Sequence, residues 1–225
     1  IMRMMAPVPP PRYGGIERIV HMLIEGLVKR GHLVTLFASD DSSVPCRLIP
    51  FGHRESDKPW VEFMNHVRLS ASLLRHYREF DLVHNLGRTL HLLPLLPFRI
   101  PKIQTYMCPL NLKVLRTAQR LAGGTLTFVG CSETVSRSGS GIGRWQVIPN
   151  CVVLENYKHD LPSNNRKDYL LFLSRLHRCK GPHIAIKVAR ATGKKLILAG
   201  HVDSQGAELE YFKKEVEPFI DGRQI

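Results

Sequence analysis

Strand-like and helix-like segments alternate along almost the whole chain, and that rhythm limits the fold more than any other feature. Short apolar runs at 33–38, 46–51, 81–84, 102–105, 125–130 and 146–148 read as strands. Between them lie helix-period segments at 60–78, 88–93 and 110–121, and a helix start at Ser132. Ile16, Ile19, Val20, Leu23, Ile24, Leu27 and Val28 follow the i, i+3, i+4, i+7 rule over three turns, and Gly31 stands where a helix ends. In the segment 60–78, Phe63, Val67, Ala71 and Leu74 fall on one helix face. Consecutive strands separated by helices must run parallel, with helices covering both faces. The expected class is therefore α/β, with a doubly wound, Rossmann-like parallel sheet.

The rhythm lapses at 150–167, which is polar and contains Pro162-Ser163-Asn164-Asn165, and then restarts. Strands are expected at 169–173 and 195–199, helices at 182–191 and 207–219, and the first residues of another strand at 223–225. This gives a domain over 1–150, a linker over 151–167, and the first part of a second Rossmann-like domain over 168–225.

Composition narrows the function classes. Lys+Arg 32 against Asp+Glu 19 gives a formal charge of +13, spread over both halves. Such an excess points to an anionic partner: a phosphorylated substrate, an acidic lipid surface or nucleic acid. No nucleic-acid motif is visible and the aromatics are not interleaved with the basic residues, so nucleic acid is not expected. The five cysteines lack C-x-x-C spacing, which argues against a disulfide scaffold and a zinc ribbon and makes a reducing cytoplasm the default. The 11 histidines show no metal spacing. Four prolines at 7 and 9–11 cut the first apolar run too short for a signal peptide, and Pro94 and Pro97 interrupt the most apolar stretch. Lys113, Arg116 and Arg120 share one helix face beside Leu112 and Leu115, which reads either as a contact for anionic lipid at the cytoplasmic membrane face or as a plain solvated face.

Two loops suit phosphate. Tyr13-Gly14-Gly15-Ile16-Glu17 lies between a short strand-like apolar run, Met2 to Ala6, and the first helix, where α/β folds bind ligands. Its glycines permit close backbone approach and its helix start offers free N–H groups; the alternative is a tight turn with Glu17 favourable in the first turn. The second loop, 174–181, carries Arg175 and Lys180 between a strand and a helix. A guanidinium grips two phosphate oxygens and an ammonium adds a compact charge; the alternative is a solvated basic loop. The glycine run 139–143 precedes a strand rather than a helix and reads as a flexible loop. His84 ends a strand, either facing a cleft or serving as a hydrogen-bonded structural histidine.

In order, Pro10-Pro11-Arg12-Tyr13-Gly14-Gly15-Ile16-Glu17-Arg18, the segment 30–39, Phe80-Asp81-Leu82-Val83-His84-Asn85, Val147-Ile148-Pro149-Asn150, Leu173-Ser174-Arg175-Leu176, Lys180-Gly181 and Leu196-Ile197-Leu198-Ala199-Gly200 resemble the family 4 glycosyltransferases. The resemblance covers essentially the whole chain and implies the GT-B architecture of two facing Rossmann-like domains. It implies transfer of a sugar from a nucleotide diphosphate donor, with retention, to an acceptor that is a saccharide, a lipid or a small molecule. No metal and no cofactor beyond that donor is implied. By the same resemblance Gly14, Gly15, Arg175 and Lys180 hold the donor diphosphate, and Gly200 and His201 approach the nucleoside. Three departures stand out. Met107 occupies the position of a family histidine in Thr105-Tyr106-Met107-Cys108, and Cys151 replaces the glycine of a P-N-G. The two-glutamate motif of the second domain is absent from the 225 residues, so catalytic residues are unassigned and the expectation is a truncated transferase inactive by itself. The alternative is a non-catalytic nucleotide- or phosphate-binding remnant.

Overall fold

The computed structural model describes residues 1–2, 6–11, 13–52, 59–156 and 168–225. It divides into two units, Ile1–Tyr157 and Lys158–Ile225. Most of the polar segment read as a linker, residues 157–167, lies outside the described residues, as do Arg12 of the first loop and three residues of the opening apolar run.

Among the described residues unit 1 holds six parallel strands: β1 Thr35–Ala38, β2 Arg47–Pro50, β3 Val83–Asn85, β4 Lys102–Tyr106, β5 Leu126–Gly130 and β6 Arg144–Val147. β1 pairs with β2, and β3 to β6 pair in sequence order. Residues 1–2 bridge the two groups. Met2 N–H donates to Phe37 O, the Ile1 nitrogen to His84 O, and Leu86 N–H to Ile1 O. The spatial order is thus β2, β1, residues 1–2, β3, β4, β5, β6. The chain winds one way from residues 1–2 and the other way from β3, so the reversal falls between them. In such a doubly wound sheet the crevice beyond the carboxyl ends at this reversal is the favoured ligand site.

Two apolar layers hold the sheet. On one face α1, Gly15–Lys29, buries Val20 and Ile24 against Met2, Leu36 and Ala38. Arg30 and Gly31 end it, with Gly31 N–H on Val28 O and His32 N–H on Leu27 O, the paired bonds of a Schellman stop. On the other face α2, Pro59–His76, the 3-10 segment Thr89–Leu95 and α3, Leu112–Leu121, pack on Phe37, Val83, Leu126 and Phe128. Pro94 lies inside Thr89–Leu95, which is why the helix read over 88–93 takes the tighter form. Ser132 caps the short α4, Glu133–Ser138, by accepting Val135 N–H, and residues 139–143 form the turn into β6.

The inward face of α2 is not the apolar face that periodicity groups together. Asn65, Leu69 and Leu73 are buried, whereas Phe63, Val67, Ala71 and Leu74 face solvent. This helix is apolar on two sides. Periodicity groups its residues and does not decide which group enters the core.

At the amino end of β4, Lys102 is 1% exposed, and its ammonium donates to Phe98 O, Ile100 O and Thr125 Oγ1 at 2.6–2.7 Å. All three ammonium donors are thereby used, as a buried charge requires. Burial still lowers its pKa.

Unit 2 pairs β7, Tyr169–Leu173, with β8, Lys195–Ala199, in parallel. The helices α5, Pro182–Thr192, and α6, Ala207–Glu215, enclose one apolar cluster built on Ile186, Ala189, Leu196, Tyr211 and Val216. The helix expected over 207–219 ends at Glu215 and gives way to the 3-10 turn Glu217–Phe219, because Pro218 supplies no N–H. Residues 223–225 do not form a strand. The Asp221 carboxylate accepts the N–H groups of Arg223, Gln224 and Ile225 and curls the segment into a turn, from which Gln224 O accepts one bond from Leu196 N–H.

Candidate functional site

The candidate residues fall in two groups, one in each unit, and His84, Arg175 and Gly200 lie at or just beyond the carboxyl ends of strands. In unit 1, Gly14 and Gly15 open α1. A Cβ on Gly14 would lie 2.6 Å from Pro10 Cβ and 2.9 Å from a Glu17 carboxylate oxygen, so the turn closes on itself there and only glycine fits. Gly15 has nothing within 4 Å of its own Cβ position and is the open one of the pair. No side chain caps the helix, which leaves the first-turn N–H groups unclaimed by a cap. The Glu17 side chain is buried against this turn, so any anion there shares the helix start with a carboxylate.

A buried amide pair fixes the ends of β3 and β4. Asn85 Nδ2 donates to Gln104 Oε1 at 2.6 Å and to Arg88 O at 2.9 Å, while Asn85 Oδ1 accepts Gly87 N–H. Gln104 Nε2 donates to Thr105 O. With these bonds made, β3 and the turn after it are held rigidly, and His84 is aimed to the opposite side of the sheet from Asn85. There His84 Nε2 and Thr105 Oγ1 share a hydrogen bond of 2.8 Å. Burial pushes the His84 pKa down to about 4, so the imidazole is neutral at pH 7. His84, Thr105 and Met107 line one cavity of about 330 Å³ between the sheet and α1, whose other walls include Leu23, Ile103 and Asn150. That volume is at the small end of ligand sites, roughly 300–1,000 Å³. The structure therefore brings His84 and Met107 together, and Gly14 and Gly15 are not part of that lining.

In unit 2 the loops after β7 and β8 interlock. Ser174 N–H donates to Ala199 O and Leu176 N–H to His201 O at 2.9 Å. A Cβ on Gly200 would lie 1.7 Å from Ser174 O, so no other residue fits without moving the backbone. Arg175 and the Gly200-His201 pair are thus held beside each other. The rest of the 174–181 loop is anchored to α6. Glu208 accepts Arg178 N–H at 2.8 Å and lies 3.3 Å from His177 Nδ1. The Arg178 guanidinium stacks 4.5 Å from the centre of the Tyr211 ring, and Tyr211 OH bonds His183 Nδ1. Lys180 is exposed, and the left-handed Gly181 and then Pro182 start α5 directly behind it with no side-chain cap. An ammonium and an open helix N-terminus at one strand end form a place for an anion. Glu208 and Tyr211 were not legible in the sequence, because their role depends on contacts about thirty residues away.

Among the described residues no group of three His, Cys, Asp or Glu is placed to hold a metal, and no helix is long and apolar enough to cross a membrane.

Comparison with solved structures finds AviGT4, a glycosyltransferase involved in avilamycin A biosynthesis, at a TM-score of 0.60 and 24% identity. The match covers 95% of this chain and 55% of that one, so the 225 residues span about half the length of that protein. The likeness shows the fold. No curated protein sequence matches the chain. The sequence model of Glycosyltransferase Family 4 matches residues 13–156, from the first glycine loop to the end of unit 1, and on that match the chain belongs to glycosyltransferase family 4.

Proposed function

We propose that the chain comprises the acceptor-side domain and the opening part of the donor-binding domain of a retaining GT-B glycosyltransferase. Its donor is a nucleotide diphosphate-sugar, whose diphosphate contacts in unit 2 are Arg175, Lys180 and the start of α5. Family membership and a match over 95% of the chain support the reading. The observation that carries it is the 174–181 loop. It is an ordered loop: backbone bonds to the 199–201 segment and three contacts from α6 hold it in place after β7.

The chemistry follows from charge. Breaking the bond between the anomeric carbon and the diphosphate leaves negative charge on the departing oxygens. Fixed cations and N–H groups that meet that charge as it grows lower the barrier without having to reorganise. In unit 1, burial makes the cavity's His84 a weak base. His84 is neutral and bonded to Thr105, and the Met107 thioether has no proton to exchange. Those walls fit shape recognition better than acid–base catalysis. His201 and Gly200 are suited to the nucleoside end of the donor because the Leu176 bond to His201 O holds them next to Arg175.

These residues should bind a nucleoside diphosphate without rapid turnover, because the chain spans about half of the matched transferase. Met107 in the cavity favours a second reading, a nucleotide-binding remnant with no transfer reaction. Release of nucleoside diphosphate from a panel of nucleotide-sugars, with and without candidate acceptors, tests the proposal. Binding without acceptor-dependent release is expected of the 225 residues, and transfer is expected of a longer chain. Rapid acceptor-dependent release by the 225 residues, lost in Arg175→Ala, would contradict the half-site account. Failure of a longer chain to transfer any sugar would favour the remnant.

A further inference from the structure

The solvent side of α2 carries what a soluble helix normally hides. Trp60 is 68% exposed and Phe63 57% exposed, and Val67 and Leu74 continue the same stripe along the helix. Trp60 and Phe63 stack on each other, with ring centres 5.7 Å apart. Arg68 and Arg75 are exposed along one flank of the stripe. The one acid of the helix, Glu62, points away from it and pairs with Arg88. Inside, Leu69 and Leu73 already meet the core, so the outer stripe is surplus to folding.

The neighbouring surface is complementary in kind. The segment Thr89–Leu95 packs against both α2 and α3 on this face of the sheet, and its Leu90 and Leu93 are exposed. Beyond it α3 buries Leu115 and Ala118, which turns Lys113, Arg116 and Arg120 outward, and α3 contains no acid. One face of unit 1 thus presents an apolar ridge headed by Trp and Phe, two exposed leucines, and five exposed cations.

We propose that this face docks unit 1 on an anionic lipid membrane. Aromatic and aliphatic side chains enter the headgroup boundary while lysine and arginine meet the lipid charge, which is how interfacial helices bind. A net charge of +13 draws the chain to such a surface as a whole. A second copy of the chain fits less well. A two-fold contact sets the same patch against itself and would oppose cations to cations around the apolar ridge. Docking does not depend on the transfer reaction, so it stands or falls separately from the proposed function.

The test is flotation of the full chain with phosphatidylcholine vesicles, with and without a phosphatidylglycerol fraction of about one third. Binding to the anionic vesicles alone is expected, weakening as salt rises from about 0.1 M to about 0.5 M. Neutralising Lys113, Arg116 and Arg120 to Gln should lower partitioning about fivefold each, roughly a hundredfold together. Trp60→Ser with Phe63→Ser should lower it at least about tenfold at either salt. These side chains are exposed, and circular dichroism should show both variants folded. Trp60→Phe keeps the ridge and should keep binding. Brominated lipid should quench Trp60 fluorescence in the wild type but leave the fluorescence of Trp60→Phe, which retains only the half-buried Trp145, unquenched. Absence of wild-type flotation overturns the proposal, as does flotation unchanged in the Trp60/Phe63 variant. So does self-association in solution that this variant abolishes, which would make the face an interface between copies.

Discussion

Strands β5 and β7 are near-continuous apolar runs, LTFVG and YLLFL, yet they end in opposite surroundings. In unit 1, β5 has strands on both edges and apolar layers on both faces, and Leu126, Phe128 and Val129 are all buried. In unit 2, Leu170 and Phe172 pack on the helical cluster while Leu171 is 55% exposed and Leu173 76% exposed. A continuous apolar run suits a parallel sheet covered on both faces. Unit 1 meets that condition and the described part of unit 2 covers one face only. Each strand nevertheless ends in an ordered loop, so local hydrogen bonding, rather than full burial, shapes the ligand-facing ends.

The comparison sharpens most at the core. Phe128→Ala should destabilise unit 1 by about 3–5 kcal/mol, because the ring is fully buried and touches Tyr106 and Trp145. Urea unfolding followed by circular dichroism measures it. A loss below about 1 kcal/mol would mean that unit 1 is packed no better than unit 2.

Next in size is a pH effect confined to unit 1. His84 has a folded pKa of about 4 against an ordinary value of 6.5. Below pH 6.5 the unfolded chain takes up a proton that the folded chain refuses, so the stability is present above 6.5 and is lost as pH falls towards 4. Between pH 7 and 4.5 the loss should be about 2–3 kcal/mol. Denaturant titrations of the wild type and His84→Gln at both pH values should show a flatter dependence in the variant. Equal slopes would remove His84 as the cause.

Gly200→Ala probes the ordered loops of unit 2. The new methyl group meets Ser174 O, so a cost of about 1–3 kcal/mol is expected, with weaker nucleoside diphosphate binding. Thermal unfolding and calorimetry read the two effects. The smallest effect belongs to the open face of β7. Leu171→Ser and Leu173→Ser should each change stability by no more than about 0.5 kcal/mol, since those side chains leave little apolar contact behind. A loss of several kcal/mol would show that this face is covered in the folded protein.

The same contrast separates what was legible in the sequence from what was not. The bounds of β7 and β8 match the expected 169–173 and 195–199, because charged residues and glycines bracket two short apolar runs. Ser132 signalled its helix through a hydroxyl that accepts a backbone N–H. The orientation of α2 was not legible, because a helix apolar on two sides carries no local mark of which side faces the core. The packing of Pro10 and Glu17 against Gly14 was not legible, because it depends on how the turn folds back on itself. The Asn85–Gln104 pair and the anchors Glu208 and Tyr211 join residues far apart in the chain, and no periodicity reports such pairs.

The central claim is that the 174–181 loop holds the donor diphosphate, and titration calorimetry with nucleoside diphosphates tests it most directly. Arg175→Ala and Lys180→Ala should each weaken binding by about 1.5–3 kcal/mol, roughly 10- to 150-fold, with the fold intact. Affinity unchanged in both variants would contradict the account and leave the loop as an ordered basic turn with no part in donor binding.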